Sequence, residues 1–543
     1  MSADLVVLNA QVATMDPNSP YAEAVAVKGG RIVEVGTTSA IREWIGRFTE
    51  VIDAKGRRLI PGLIDCHMHL LGYGFALEQV PAHEARTLAE LAALVQAAAE
   101  RSPAGTWIQG RGWDEELWGG QLPDRALLDA VAPEHPVIIN RRCGHIAVAN
   151  TRAFEQAGIL DTHTVAAGGV IDRDAAGYPT GILREHAMDL IGQAIPAKTE
   201  ADYRRALHAG AESASRHGLT GVHTNDGEGW PIETIYSLYR ELQSGGDRLP
   251  LRIWWDFDHA DLEKAIAWGW QTGVGDEWLK VGSAKIFTDG SLGGHTAALR
   301  APYSDDGSTA GLFLWETDAL AARMELARRH GFQVAVHAIG DGSFAQTLAA
   351  YRQALQAVAG EAKTPRHPAV SRLRNIHCQI MYPELWQEMR ELGAVADVQP
   401  RFISSDYPIL ESRVGAERAH SSYAWRSMAE LGIPVGFGSD CPVEPINPLH
   451  ALYAAVTRQT MAGAPAGGYQ PHERFSVAEA IAHHTRGAAY AVGEEREKGQ
   501  LTPGYLADMV LLAQDPFTVA PEAIKDITVA LTILGGQVVY AAE

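Results

Sequence analysis

An α/β fold is predicted for this chain of 543 residues: a (β/α)8 TIM barrel with a large insertion after its first strand, and a small β-sandwich domain formed by both chain ends. Three observations predict it. Between residues 60 and 440, short apolar runs alternate with amphipathic helical runs, and the apolar runs number eight, as a closed parallel barrel requires. The first two of them stand about 150 residues apart, far beyond one βα unit, so an insertion must fill the gap. Both chain ends carry short β-like runs punctuated by glycine turns.

In chain order, Leu5-Val6-Val7-Leu8, Ala24-Val25-Ala26-Val27, Gly29 to Val35 and Val51-Ile52-Asp53 read as an antiparallel sheet with tight glycine turns. Ala507 to Leu512 and Val529 to Tyr540 repeat that style, and 1–58 with 497–543 are expected to complete one small domain around a barrel spanning 59–496. Within the barrel, strands are expected at 60–66, 219–223, 250–256, 279–287, 332–337, 373–377, 394–399 and 434–440. Helical runs fit between them at 202–217, 231–243, 260–270, 317–330, 343–358, 383–392 and 422–431. The insertion, 72–200, contains an alanine-rich amphipathic run near 88–99. Because it leaves from the C-terminal end of the first strand, it is expected to rise over the face where such barrels hold their active sites.

Acidic residues outnumber basic ones 66 to 46, a formal charge of -20 that opposes binding to nucleic acid or anionic membranes. The start lacks a basic segment followed by a long apolar core, and no run of about 18 apolar residues follows, so a cytoplasmic location is expected. Four cysteines in this length make no disulfide framework. Cys66, Cys378 and Cys441 adjoin strand ends, and period-two alternation turns them toward the layer between barrel and helices.

Chemistry enters at those strand ends. Cys66-His67-Met68-His69 closes the first apolar run, and residues two apart on a strand share a face, so His67 and His69 can grip one metal ion. Alone, the pair reads equally well as two polar residues at a strand–loop junction. The pattern recurs, however: His337 ends the fifth run, His377 the sixth and Asp440 the eighth, all converging on the barrel mouth. Lys285 lies late in the mostly apolar fourth run, where an ammonium is costly unless paired or neutralised. It either pairs with Asp289 or another carboxylate, or reacts with carbon dioxide to give a carbamate able to bridge two cations. Lys280, earlier on that strand, is structural in either case.

These motifs, together with Gly110-Arg111-Gly112-Trp113-Asp114, Gly144-His145, Gly181-Ile182-Leu183-Arg184-Glu185, Lys285 to Gly293, Val336 to Asp341 and Pro503 to Asp508, resemble the amidohydrolase superfamily. Within it the chain is similar to the amidohydrolase-3 branch of YtcJ-like proteins and N-substituted formamide deformylases, over almost its whole length. The resemblance implies that His67, His69 and Asp440 hold one metal, that His337 and His377 hold a second, and that Lys285 bridges them as a carbamate. Zinc suits imidazole and oxygen donors, with manganese, iron or cobalt compatible. Two such cations turn a shared water into a hydroxide that attacks an amide carbonyl, with Asp440 as the catalytic group that accepts the proton and passes it to the leaving amine.

For substrate binding, the insertion offers Trp113, with Trp118 nearby, as an aromatic wall, or as core packing. Arg184 forms an ion pair with Glu185 or, as the resemblance implies, contacts substrate. His145 and His295 are weaker candidates for oxyanion stabilisation, and His223 lines the pocket or makes an ordinary hydrogen bond. The expected reaction is hydrolysis of a C–N bond in a small-molecule amide, an N-substituted formamide or N-acyl amine. A single-metal deaminase and a non-catalytic binding or scaffold protein on the same barrel are the alternatives. A homodimer without nucleic-acid or membrane partners is expected.

Overall fold

The computed structural model describes residues 2–141, 145–160, 169–226, 231–359 and 367–542. Its main unit comprises Met1–Tyr73 and Leu207–Glu543. Eight parallel strands form the centre of that unit: β1 (Leu63–Met68), β2 (Leu219–Asn225), β3 (Arg252–Asp258), β4 (Leu279–Phe287), β5 (Val334–Ala338), β6 (Arg374–His377), β7 (Val395–Val398) and β8 (Val435–Phe437). Each pairs in parallel with its neighbour in sequence. The seam between β8 and β1 is bridged just beyond the strands. Asp440 N–H donates to the His67 carbonyl at 2.8 Å, and the Asp65 carboxylate accepts from the Ser439 N–H at 3.0 Å and its hydroxyl at 2.5 Å. The ring is therefore nearly closed, and its edges are spent on pairing rather than left exposed.

A charged layer crosses the barrel interior. Arg374 on β6 is fully buried and donates to Asp397 on β7 at 2.6 Å, to Asp256 on β3 at 2.7 Å and to the Cys66 carbonyl on β1 at 2.6 Å. Only a side chain pointing inward can reach three other strands. Removing one partner of such a group would strand an uncompensated charge, so the layer fixes which strands face one another. Gly282 on β4 belongs to it, since a Cβ there would lie 2.5 Å from an Asp256 oxygen. On the other side of β1, Cys66 packs with Ile64, Ala488 and Ala489. Lys280 donates to the buried Glu494 at 2.6 Å, and Lys498 pairs with the same carboxylate.

The barrel strands fall where the sequence places them, but one helix does not. Phe402–His420 is helical and follows β7, a stretch without a predicted element. Pro408 lies within it and Gly415 breaks it with φ 77°, which interrupts the 3.6-residue pattern that would reveal it. After β8 come further helices at Pro448–Thr457 and Val477–Ala482, the latter continued by a π-helical turn at His483–Gly487.

Strands from both chain ends build two more sheets. Leu5–Leu8, Ala24–Lys28, Arg31–Gly36 and Glu50–Asp53 form one, while Gln11–Ala13, Tyr21–Ala22 and Arg58–Pro61 join Met509–Leu512, Val529–Leu534 and Gln537–Ala541 in the other. Residues of both sheets, among them Leu5, Val27, Leu59, Met509 and Ile533, share one apolar core. The sheets are mixed rather than antiparallel, which corrects the expectation for the N-terminal strands: Leu5–Leu8 pairs with Glu50–Asp53 in parallel. The connection between them is long and contains the helix Thr38–Arg42, the kind of crossover that a parallel pair needs and a hairpin lacks.

Gly74–Ala206 form a second compact unit. It has a six-stranded sheet of its own, in the order Gly169–Arg173, Pro179–Glu185, Ile146–Ala149, Val137–Arg141, Ile108–Trp113, Val80–Pro81. The expected alanine-rich helix is Leu88–Arg101, capped by Thr87, whose hydroxyl accepts from Glu90 N–H. Among the described residues no helix is long and apolar enough to cross a membrane.

Candidate metal centre

His67, His69, His337, His377 and Asp440 stand at the C-terminal ends of β1, β5, β6 and β8, or one to three residues beyond them, and they converge. Asp440 Oδ1 lies 3.3 Å from His67 Nε2 and 3.2 Å from His69 Nε2. His377 Nε2 lies 2.9 Å from His337 Nδ1, and the rings of His67 and His377 are 5.8 Å apart, edge to face. Donor atoms of His67, His377 and Asp440 all fall within 4.8 Å of one another. Two of these residues reach the cluster through unusual backbone: His377 has φ 84° and Asp440 φ 58°. Side chains other than glycine enter that left-handed region at a cost of about 1–3 kcal/mol each, a strain that gathers at functional sites.

The hydrogen bonds on the far side of the His377, His337 and His69 rings decide which nitrogens carry protons. His377 Nδ1 is 2.8 Å from the Gln399 oxygen, and the Gln399 amide is oriented by its own contact with the Asp397 carbonyl. Nδ1 therefore donates and Nε2 keeps its lone pair. His337 Nε2 donates to the Gly290 carbonyl at 3.0 Å, which leaves the lone pair on Nδ1. Two lone pairs thus face each other at 2.9 Å, an arrangement that repels as it stands and that a shared cation would satisfy. His69 repeats the pattern, donating from Nδ1 to the Asn225 carbonyl at 2.8 Å and turning Nε2 toward the Asp440 carboxylate. A proton or a metal ion meets the same demand there. Unprotonated imidazoles with one carboxylate are the donor set of a zinc-type site, so these residues fit a divalent metal.

The electrostatics agree. Burial pushes His67 and His337 well below the ordinary imidazole range and His377 down to about 4; the Lys285 ammonium pushes all three the same way. Burial also lowers His69, but its contact with Asp440 outweighs that and raises it. Burial would raise Asp440, yet hydrogen bonds from His67 and His69 hold it well below the usual carboxylate range. Lys285 is buried on β4, its ammonium 3.9 Å from the centre of the Phe287 ring. Asp289 does not serve as its partner: that carboxylate accepts from the N–H groups of Ala298, Ile339 and Gly340 and from the Ser343 hydroxyl.

The remaining sequence candidates have partners of their own. Trp113 is fully buried in the apolar core of the 74–206 unit and donates its indole N–H to the Ile139 carbonyl at 2.9 Å, which is a packing position. Trp118 packs at the edge of that core. Arg184 pairs with Asp172 at 2.8 Å, not with Glu185, because Glu185 is its immediate neighbour on the strand and faces the other way. Glu185 instead meets His145 Nδ1 at 3.0 Å. Of the Gly144-His145 motif, Gly144 lies outside the described residues. His295 belongs to the barrel unit but joins Asp305 and Arg413 rather than the cluster. His223 lies inside the barrel beneath the mouth, lowered first by burial and then by Arg374.

Three site residues escaped the sequence reading. Gln399 orients His377, the Asn225 carbonyl orients His69, and Asp65 ties the His67 strand to the Asp440 segment. Gln399 ends a predicted strand as the metal candidates do, and that position was the available signal.

A nearly closed parallel barrel with imidazoles and a carboxylate gathered at its strand ends defines the class of metal-dependent barrel hydrolases. The chain belongs to the amidohydrolase family, whose model matches residues 50–540. It is 33% identical over 534 residues to YtcJ of Bacillus subtilis (strain 168), an amidohydrolase by name, covering 97% of each chain. It is 29% identical over 552 residues to the N-substituted formamide deformylase of Arthrobacter pascens, covering 99% of this chain and 98% of that one. Among solved structures, an uncharacterized metal-dependent hydrolase from Pyrococcus furiosus superposes with a TM-score of 0.76 at 28% identity, covering 95% of this chain and all of that one.

Proposed function

We propose that this protein hydrolyses the C–N bond of a small amide, an N-substituted formamide or N-acyl amine, at a dinuclear centre held by His67, His69, Asp440, His337, His377 and a carbamate on Lys285. The observation that carries the reading is the pair of opposed lone pairs on His337 and His377, beside a second convergence of His67 and His69 on Asp440. Five neutral or anionic donors in two groups exceed what one tetrahedral site uses, and the buried Lys285 acts on all four histidines. When bound, zinc, manganese, iron or cobalt would polarise the amide carbonyl and acidify water near neutrality.

The chain's own residues do the rest. Asp440, held ionised, accepts a proton from the attacking water as its oxygen bonds to the carbonyl carbon, then gives that proton to the amine nitrogen as the C–N bond breaks. The products are a carboxylic acid and an amine. The outward hydrogen bonds of His337 and His377 keep their inward nitrogens unprotonated and aimed, and that of His69 aims its inward nitrogen at Asp440. The formamide choice is supported by the Arthrobacter pascens relative; the wider amide class needs only the family.

The test is metal content together with a panel of N-formyl, N-acetyl and cyclic amides. Close to two divalent ions per chain and turnover of at least one N-formyl or N-acyl amide are expected. One ion, with Lys285→Ala unchanged in activity, would replace this reading with a mononuclear enzyme.

A further inference from the structure

We propose that Asn225 contacts the substrate, its side-chain oxygen accepting the N–H of the scissile amide, so that the site selects secondary over tertiary amides. This rests on the amide-hydrolysis reading above. The argument begins with direction. On β2, Thr224 donates to Asp226 at 2.6 Å and accepts from Leu70 N–H at 2.8 Å, while Asp226 accepts from Tyr239 on the helix Ile232–Ser244 at 2.5 Å. Thr224 and Asp226 lie on opposite sides of residue 225 in sequence and are joined to each other, which turns the side chain between them the other way. His223 shares that other face, and it lies beside Arg374, which the ion layer places inside the barrel. Asn225 is therefore the inward residue one step above His223, at the mouth.

Its neighbourhood is the candidate metal centre. The Asn225 main-chain carbonyl holds His69 Nδ1, and the His69 side chain keeps 26% of its surface open, so this rim reaches solvent. The Asn225 carboxamide itself is buried, and neither its oxygen nor its nitrogen has a hydrogen-bond partner among the described residues. A buried carboxamide with both ends unsatisfied is costly, and a fold that needed only to fill that volume would do better with leucine. The Asn375 side chain also has no partner among the described residues, but it follows the inward Arg374 on β6 and so faces away from the interior. A secondary amide whose carbonyl is directed to the metal donors has one polar group left, its N–H. The Asn225 oxygen is an acceptor at the same strand end.

Asn225→Leu separates the alternatives, measured with the fastest secondary amide of the panel and with its N-methyl tertiary derivative. Wild type should favour the secondary amide by roughly tenfold or more in kcat/KM, and Asn225→Leu should lose roughly that factor on the secondary amide only. Metal content should stay unchanged and the melting temperature should hold or rise, because a leucine removes the unpaired groups. An equal loss on both amides, unchanged kcat/KM on both, or a fall in melting temperature and metal content would each overturn the contact. Should wild type hydrolyse no amide while holding two metals, the functional reading fails first and the Asn225 contact with it, a result distinct from the others.

Discussion

Asp440 concentrates the demands of the site in one side chain. It sits in left-handed backbone, its oxygen meets two imidazoles, and it stays ionised although burial opposes this. Asp440→Asn keeps the shape and one ligand oxygen but abolishes the base. In the metal-replete variant kcat should fall roughly 100-fold or more, within the usual contribution of general acid–base catalysis, while KM moves far less. Near-wild-type kcat would put the proton shuttle on another group. Lys285 makes a parallel case. Lys285→Ala should lose most activity and part of the metal, and short carboxylic acids should restore some of both, since a carboxylate can occupy the place of the carbamate. An unmodified amine in a fully metallated crystal would defeat the bridging role.

At the scale of elements, the charged pairings hold the strands that carry the site. Glu494 is buried between Lys280 of β4 and Lys498; burial opposes its ionisation, yet the two ammonium groups pull it down from 4.5 to about 2. A carboxylate depressed in the folded state adds stability above its unfolded pKa and loses it as pH falls through the folded one. The contribution of Glu494 should therefore be complete above about pH 4.5 and fade toward pH 2. Glu494→Gln leaves two buried ammonium groups unpaired and should destabilise by about 3–5 kcal/mol near neutrality, with the gap to wild type narrowing across that acid window in denaturant titrations. A pH-independent gap would mean that the pair is not what holds the element. Trp113→Ala should cost about 3–5 kcal/mol by opening a cavity in the 74–206 core, and should lower kcat/KM for a benzyl amide and a methyl amide alike. Selective loss of the benzyl amide would make Trp113 a pocket wall after all. The barrel strands were legible because each is a short apolar run ending in a chemical residue, as Phe332 to His337 is. Phe402–His420 was not, since Pro408 and Gly415 break its period, and the parallel pairing of Leu5–Leu8 with Glu50–Asp53 was not, since strand partners are chosen by contacts distant in sequence. The six metal candidates could be read from strand ends. Gln399, which also ends a predicted strand, Asn225 and Asp65 were not singled out, because orienting a ring needs only a carbonyl or a carboxylate, which any polar residue in the right place supplies.

For the whole molecule, the chain places all six metal candidates in one compact unit and none in the other, which spans Gly74–Ala206. The opposed lone pairs of His337 and His377 are a local repulsion in the folded chain that a bound cation converts to attraction. A ligand that binds only the folded state stabilises it by RT ln(1 + [L]/Kd), about 4 kcal/mol at a thousandfold excess over Kd, and its removal should be felt where its donors are. Chelation should therefore lower the melting temperature, and hydrogen exchange should quicken first at the ends of β1, β5, β6 and β8. The strands Ile108–Trp113, Val137–Arg141 and Ile146–Ala149 of the second unit should keep their protection. Restoring zinc or manganese should reverse the change at those four ends. Exchange unchanged by chelation would show that the histidine cluster is held by the fold alone, and equal quickening in both units would make the metal's stabilisation global rather than local to the cluster.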